Sequence, residues 1–260
     1  MSKKIIFMGT PEFSVKTLEV LAKSSYDISC VYTQEPKKSD RGQKINKNPI
    51  HLAAEKLNIK VRCPRNLDTD EEYKYFKSVS PFIVIVVAYG QIIPKIFLDL
   101  PEQGFLNIHS SLLPKLRGAA PIQRSIMNLE KETGISMMKI EEGLDTGPYM
   151  KQIKIKINDQ TNCQELTNKL SNLGANNILN CLDLINENNA KFIRQNDSKA
   201  SYARKITKLE SKISWLDTAE KNIAKINGLN PQPGAWFEYE GSRFKIWKAK
   251  ISNISGRPGE

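Results

Sequence analysis

The chain predicts an α/β protein: a mostly parallel β-sheet with helices on both faces, followed by a smaller β-rich piece. Three observations carry that reading. Short apolar runs alternate with longer amphipathic ones through the first two-thirds of the chain. One run, Phe82-Ile83-Val84-Ile85-Val86-Val87, is continuously apolar and rich in β-branched residues, the pattern of a strand covered on both faces and hence central and parallel. After Asn186 the texture changes, and Trp215, Trp236 and Trp247 arrive with alternating strand-like runs. A length of 260 residues accommodates one domain of ordinary size and a smaller second piece.

The elements follow in order. Ile5-Ile6-Phe7-Met8 predicts a strand ending at Gly9. Thr10-Pro11-Glu12 then offers a helix cap, a proline for the first helical position and an acid for the first turn. Phe13, Thr17, Leu18 and Leu21 make the apolar face of that helix. Ile28 to Tyr32 predicts the next strand, and a helix follows Pro49 through Leu52 to Leu57. Lys60 to Cys63 gives a short strand, and a charged helix runs near Asp68 to Lys77. After the central strand come a strand from Gly104 to His109, a helix from Ala119 to Leu129 and a strand from Gly134 to Ile140. Ile153, Ile155 and Ile157 alternate with lysines, as in a strand with one wet face. Thr161 to about Asn186 forms a long amphipathic helix with Leu166, Leu170, Leu173 and Ile178 inward. The polar stretch after it predicts a surface linker. Trp236 to Tyr239 and Phe244 to Trp247, joined by Glu240-Gly241-Ser242, predict a hairpin. No internal repeat is visible.

Composition narrows the function classes. No apolar run approaches the ~20 residues of a membrane-spanning helix, and the N-terminus has neither the apolar core nor the cleavage site of a signal peptide; a cytoplasmic protein is expected. Cys30, Cys63, Cys163 and Cys181 stand far apart, as inert thiols do in a reducing compartment. With two histidines, His51 and His109, a histidine-rich metal site is excluded, and no metal is expected. The net charge of +11 fits a nucleic-acid partner. Equally, joint enrichment in Lys, Ile and Asn is what nucleotide bias in a genome produces. The Gly9-Thr10-Pro11-Glu12-Phe13 segment lacks the spaced glycines of a dinucleotide fingerprint, which disfavours hydride transfer.

The most informative stretch is Asn107 to Gly118. Asn107 and His109 stand two apart at a strand end, so their side chains share a face. An amide and an imidazole there can hold an oxyanion forming on a carbonyl. Asp145, in the turn Glu142-Gly143-Leu144-Asp145-Thr146-Gly147, can reach and orient an imidazole. From spacing alone, however, a structural histidine and a turn acid capping its own backbone account for both residues. Ligands of such sheets bind beyond the carboxyl ends of strands, which makes Ala88-Tyr89-Gly90 a candidate site wall.

Asn-x-His followed by Ser-Leu-Leu-Pro-x-x-Arg-Gly, and then Gly-Leu-Asp-Thr-Gly, resembles the enzymes that transfer a formyl group from 10-formyltetrahydrofolate. The resemblance extends over nearly the whole chain and implies a Rossmann-like catalytic fold. It implies that Asn107, His109 and Asp145 are catalytic and that Ser111, Leu112, Leu113 and Pro114 line the folate site. It also implies that Val87, Ala88, Tyr89, Gly90, Gln91 and Ile92 offer backbone groups to the pterin-like ring. Phe7 to Phe13, Arg117 to Arg124 and the basic loop Thr33 to Pro49 resemble the methionyl-tRNA formyltransferase branch. In that branch the loop grips the acceptor stem, which here points to Arg41 above all, with Lys37, Lys38, Lys44 and Lys47. The implied co-substrate is 10-formyltetrahydrofolate and the implied partner is initiator methionyl-tRNA, with a monomer as the default. Competing readings are a formyltransferase acting on an amino-sugar nucleotide, a folate hydrolase, and a non-catalytic RNA-binding protein on the same scaffold. The expected organisation is a catalytic domain over 1–189, a linker over 190–206, and an incomplete OB-like β-barrel that binds tRNA over 207–260.

Overall fold

The computed structural model describes residues 2–39, 44–254 and 256–259, without the side chains of 37–39, 44 and 45. The first half of the chain forms β1 (Lys4–Gly9), α1 (Val15–Ala22), β2 (Asp27–Tyr32), β3 (Lys37–Ser39), β4 (Lys44–Asn46), α2 (Pro49–Lys56), β5 (Val61–Arg62), α3 (Asp70–Val79), β6 (Ile83–Val87), α4 (Lys95–Leu98) and β7 (Phe105–His109). It continues as α5 (Pro121–Met127), β8 (Glu132–Lys139), β9 (Tyr149–Lys156), α6 (Cys163–Asn186), α7 (Ala219–Leu229), β10 (Ala235–Tyr239) and β11 (Ser242–Ile246). Seven strands make one sheet in the order β5-β2-β1-β6-β7-β8-β9, and the strands from β5 to β7 run parallel. The mostly parallel sheet expected from the pattern is present, with β6 buried along its whole length.

Period-two alternation gives the sheet two faces. Ile6, Met8, Val84, Val86 and Phe105 point to one and pack with Phe76 of α3 and Phe97 of α4. Ile108 points to the other, against α6. There Gly174 faces it so closely that an added Cβ would stand 3.1 Å from Ile108 Cγ2 and 3.8 Å from Thr17 Oγ1. Local chemistry starts the helices where the sequence signals them. Asn48 accepts from the His51 N–H with Pro49 in the first turn, and Thr69 accepts from the Glu72 N–H ahead of three acids. Beneath the sheet face, buried Glu72 receives the Tyr32 hydroxyl at 2.6 Å and Arg62 at 2.6 and 2.8 Å.

Two local expectations are corrected, on Thr10 and on the C-terminal third, and two details left open by the sequence are supplied. Thr10 does not cap α1; its hydroxyl donates instead to the Tyr89 carbonyl at 2.7 Å, and a 3₁₀ turn over Glu12–Ser14 precedes the helix. Within the Thr33–Pro49 loop β3 and β4 pair antiparallel. β8 runs antiparallel to β7, which puts Leu106 opposite Lys139 and His109 opposite Ser136. The C-terminal third also contains α7, where only strands were expected; Thr218 caps it by accepting from the Lys221 N–H.

The chain divides into two compact units. One comprises Met1–His109, Ile135–Gln152 and Leu170–Gln195; the other Ser110–Gly134, Ile153–Lys169 and Asn196–Glu260. In the second, Ile213, Ile226, Leu229 and Ala235 form a small core with Met127 and Phe237. Ala203 is fully buried there and exchanges main-chain hydrogen bonds with Arg117 and Ala119. Arg124 reaches both oxygens of Glu210 and also donates to the Arg204 carbonyl. β10 and β11 pair antiparallel around Glu240 and Gly241, which have φ of 46° and 71°, as a two-residue hairpin turn requires. The predicted hairpin is thus observed as a small two-stranded sheet.

Candidate active site

The register brings the carboxyl ends of the parallel strands to one edge, with Met8 level with Tyr32 and Val86, and Val86 level with Asn107. β7 ends there in Asn107 and His109, both buried and on the α3–α4 face. The His109 Nδ1 stands 3.6 Å from Asp145 Oδ2. An imidazole and a carboxylate at that separation attract each other when the ring is protonated, and the carboxylate fixes which way the ring faces.

Asp145 does not arrive simply by following its strand. Because β8 is antiparallel, it ends level with Leu106, three residues and about 10 Å back from His109. The 141–148 loop must therefore double back over the sheet to bring the carboxylate to the ring. Asp145 itself holds φ of 52°, a left-handed conformation that aspartate tolerates better than most residues. The loop is closed at its neck by Lys139 N–H donating to the Pro148 carbonyl at 2.9 Å. Gly147 has no room for a side chain, since a Cβ would lie 2.0 Å from the Lys139 carbonyl oxygen. Gln195 donates from Nε2 to the carbonyls of Asp145 and Gly147, each at 2.7 Å. Beside His109 on the neighbouring strand, buried Ser136 accepts from Gln152 Nε2 at 2.9 Å.

The end of β6 forms a second wall. Ala88 and Gly90 both take positive φ, 50° and 84°. Three side chains hold the carbonyls of this turn: Ser14 on Val87 at 2.6 Å, Thr10 on Tyr89 at 2.7 Å and Gln34 on Gly90 at 2.9 Å. Gln91 Nε2 donates to the Pro64 carbonyl at 3.0 Å. Among the described residues, the main-chain N–H groups of Ala88, Tyr89, Gly90 and Gln91 have no acceptor, so this turn presents donors. Val87 and Tyr89 side chains are buried inward, whereas Ile92 is 91% exposed. Burial pushes the Tyr89 hydroxyl's pKa up.

A family model described as "Formyl transferase" matches residues 3–182, and one described as "Formyl transferase, C-terminal domain" matches residues 205–260. The chain belongs to the formyl transferase family. It is 56% identical over 261 residues to a methionyl-tRNA formyltransferase of Pelagibacter ubique (strain HTCC1062), covering 100% of this chain and 84% of that protein. It is 40% identical over 264 residues to one from Rhodopseudomonas palustris (strain TIE-1), covering 100% and 85%. In fold it is similar to a crystal structure of a sugar 3N-formyl transferase solved with dTDP and 5-N-formyl-THF. The TM-score is 0.71 at 24% identity, covering 98% of this chain and 88% of that one.

In this formyl transferase the residues singled out from sequence fall into separate groups. Asn107, His109 and Asp145 come together, and the β6 end adjoins them through the Val86–Asn107 register. Ser111, Leu112, Leu113 and Pro114 belong to the second unit, where the Ser111 hydroxyl donates to the Lys115 carbonyl at 2.6 Å. Lys37, Lys38 and Lys44 lie on β3 and β4 by their main chain, and Arg41 falls outside the described residues. Lys47 is exposed and pairs with Glu55 at 2.5 Å. Sequence reasoning missed Gln195, Ser136 and Gln152. Ser136 is placed by the antiparallel register, which the local pattern does not carry, and nothing local marks Gln195, which stands in a polar stretch read as linker.

Proposed function

We propose that this protein transfers the formyl group of 10-formyltetrahydrofolate to the α-amine of methionyl initiator tRNA. The observation that carries the reading is 56% identity, over the full length of this chain, to a methionyl-tRNA formyltransferase. The meeting of His109 and Asp145 beside Asn107 supports it independently. The uncharged amine attacks the formyl carbon, a C–N bond forms, and the carbonyl pair moves onto oxygen. Asn107 and His109 hold that oxyanion, which is where preorganised donors act most strongly. Collapse returns the pair, breaks the bond to the folate nitrogen and transfers to it the proton the amine loses, with Asp145 orienting His109 and assisting the proton's passage.

The donor-rich turn at the end of β6 suits the polar edge of a folate ring, and the family resemblance assigns Ser111, Leu112, Leu113 and Pro114 to folate binding as well. Folate is here a co-substrate, and the chemistry asks for no metal. The basic segment at β3–β4, with Arg41, Lys37, Lys38, Lys44 and Lys47, is assigned to the acceptor stem. Residues 1–189 are assigned as catalytic, 190–206 as a connection and 207–260 as an OB-like piece that adds to tRNA binding. A cytoplasmic, monomeric enzyme is the accompanying reading; among the described residues no helix is long and apolar enough to cross a membrane.

The test is formyl transfer from 10-formyltetrahydrofolate to charged initiator methionyl-tRNA, by this chain and by His109→Ala, with an amino-sugar nucleotide as rival acceptor. Transfer to the tRNA that His109→Ala abolishes is expected. Transfer to the sugar amine alone would overturn the acceptor, and undiminished activity of His109→Ala would overturn the site.

A further inference from the structure

We propose that Gln195 is a positioning residue for formyl transfer, holding the main chain of the Asp145 loop so that the carboxylate faces His109. The inference rests on the reading of Asn107, His109 and Asp145 as the catalytic trio. It begins with direction. A loop that leaves β8 level with Leu106 has to travel back about three residues along β7 to bring Asp145 to His109. Something outside the loop must hold it folded back.

The segment after α6 supplies that hold. Tyr149 and Ile193 exchange hydrogen bonds in both directions, at 3.0 and 2.9 Å, which lays residues 193–195 beside the exit of the loop. Gln195 then places one amide nitrogen, with two hydrogens, 2.7 Å from two carbonyl oxygens, those of Asp145 and Gly147. The Asp145 carbonyl belongs to the 145–146 peptide plane and the Gly147 carbonyl to the 147–148 plane, so the two bonds hold the chain just before Thr146 and just after Gly147. Asp145, at φ 52°, stands directly before the first of these held planes. An amide is the side-chain group that suits the task. It carries two donors on one planar nitrogen, whereas a carboxylate of the same shape would turn oxygens toward both carbonyls.

Gln195 touches no reacting atom in this scheme, so its removal should act on turnover through Asp145 alone. The experiment compares Gln195→Leu, which keeps the bulk and loses both donors, with Gln195→Glu, each alone and in an Asp145→Ala background. Turnover and KM for both substrates are measured, with melting temperatures to confirm folding. Misplacing a reacting group by about 1 Å costs about 10²-fold, so kcat should fall about 10- to 100-fold with both KM values within about twofold of the parent. In the Asp145→Ala background the same substitutions should change kcat by less than about twofold. Equal losses in both backgrounds, or a Gln195→Leu enzyme with parental kcat, would overturn the proposal. So would rises in KM without loss of kcat. Should Gln195→Leu not fold, Gln195→Glu carries the comparison. A fully active Asp145→Ala enzyme would overturn the catalytic assignment and this inference together, whereas an impaired Asp145→Ala beside an unimpaired Gln195→Leu sinks this inference alone.

Discussion

Asn107 and His109 share a face of β7 because strand geometry leaves them no alternative, and both are buried where the parallel strands end. Their difference is chemical. His109 can change protonation during a turnover, whereas Asn107 can only donate or accept. Asn107→Ala should therefore lower kcat about 10²- to 10³-fold, the usual loss for one oxyanion donor, with KM for the tRNA unaltered in steady-state assays. Asn107→Asp should do no better, since a carboxylate repels the oxyanion that the amide attracts. Parental turnover in either variant would remove Asn107 from the chemistry. At this scale the sequence was informative about identity and poor about approach. The Asn-x-His spacing placed two side chains together, and a period of two is enough for that. It could not reveal how Asp145 arrives, because whether β8 runs parallel or antiparallel depends on pairing partners outside the local pattern.

At the scale of elements, α3 is tied to β2 and β5 by a charged link rather than by apolar packing alone. Arg62 grips both oxygens of Glu72, and Tyr32 donates to the same carboxylate. Burial and the Glu72 hydrogen bond push the Tyr32 phenol's pKa upward, so the ring remains a donor at any ordinary pH. Arg62→Ala would leave the Glu72 carboxylate buried beside a single neutral donor. Removing one partner of such a pair costs about 3–5 kcal/mol, which should appear as a fall in the urea midpoint. Glu72→Gln added to Arg62→Ala should recover part of the loss; no recovery would show that the burden is not electrostatic. The strand–helix alternation up to Asn186 was legible because periodicities of 2 and 3.6 are local. α7 was not, because its buried Ala224, Ile226 and Leu229 sit among Lys, Asn and Gly that give no clear apolar stripe. The antiparallel pairing of β3 with β4 was hidden for a related reason: Lys37-Lys38-Ser39 and Lys44-Ile45-Asn46 lack the β-branched runs that announce a strand.

For the whole molecule the governing quantity is the net charge of +11. If the partner is tRNA, binding should weaken steeply with salt, by about 10²-fold between about 50 and 200 mM for about four phosphate contacts. Filter binding across that range, repeated with Arg41→Ala, checks both halves of the statement. The variant should bind more weakly at low salt and show a slope shallower by about one contact. A slope indifferent to salt would mean that the charge serves no nucleic acid. Net charge was legible at once, but its meaning was not, since composition says how much charge there is and nothing about where it gathers.

Gly174 gives the strand that bears Asn107 and His109 a backing plate. Glycine inside a helix costs about 1 kcal/mol relative to alanine, yet here it lets α6 lie against Ile108, the residue between the two. That contact works as a set-screw on the rear of β7. Turning it means adding bulk: Gly174→Ala must displace Ile108 by a few tenths of an ångström, and Gly174→Val by more. A graded decline in turnover from Gly to Ala to Val, with the active face chemically untouched, is the expected outcome in initial-rate assays. Activity in this enzyme would then be adjustable from behind the sheet, at a position that never meets either substrate.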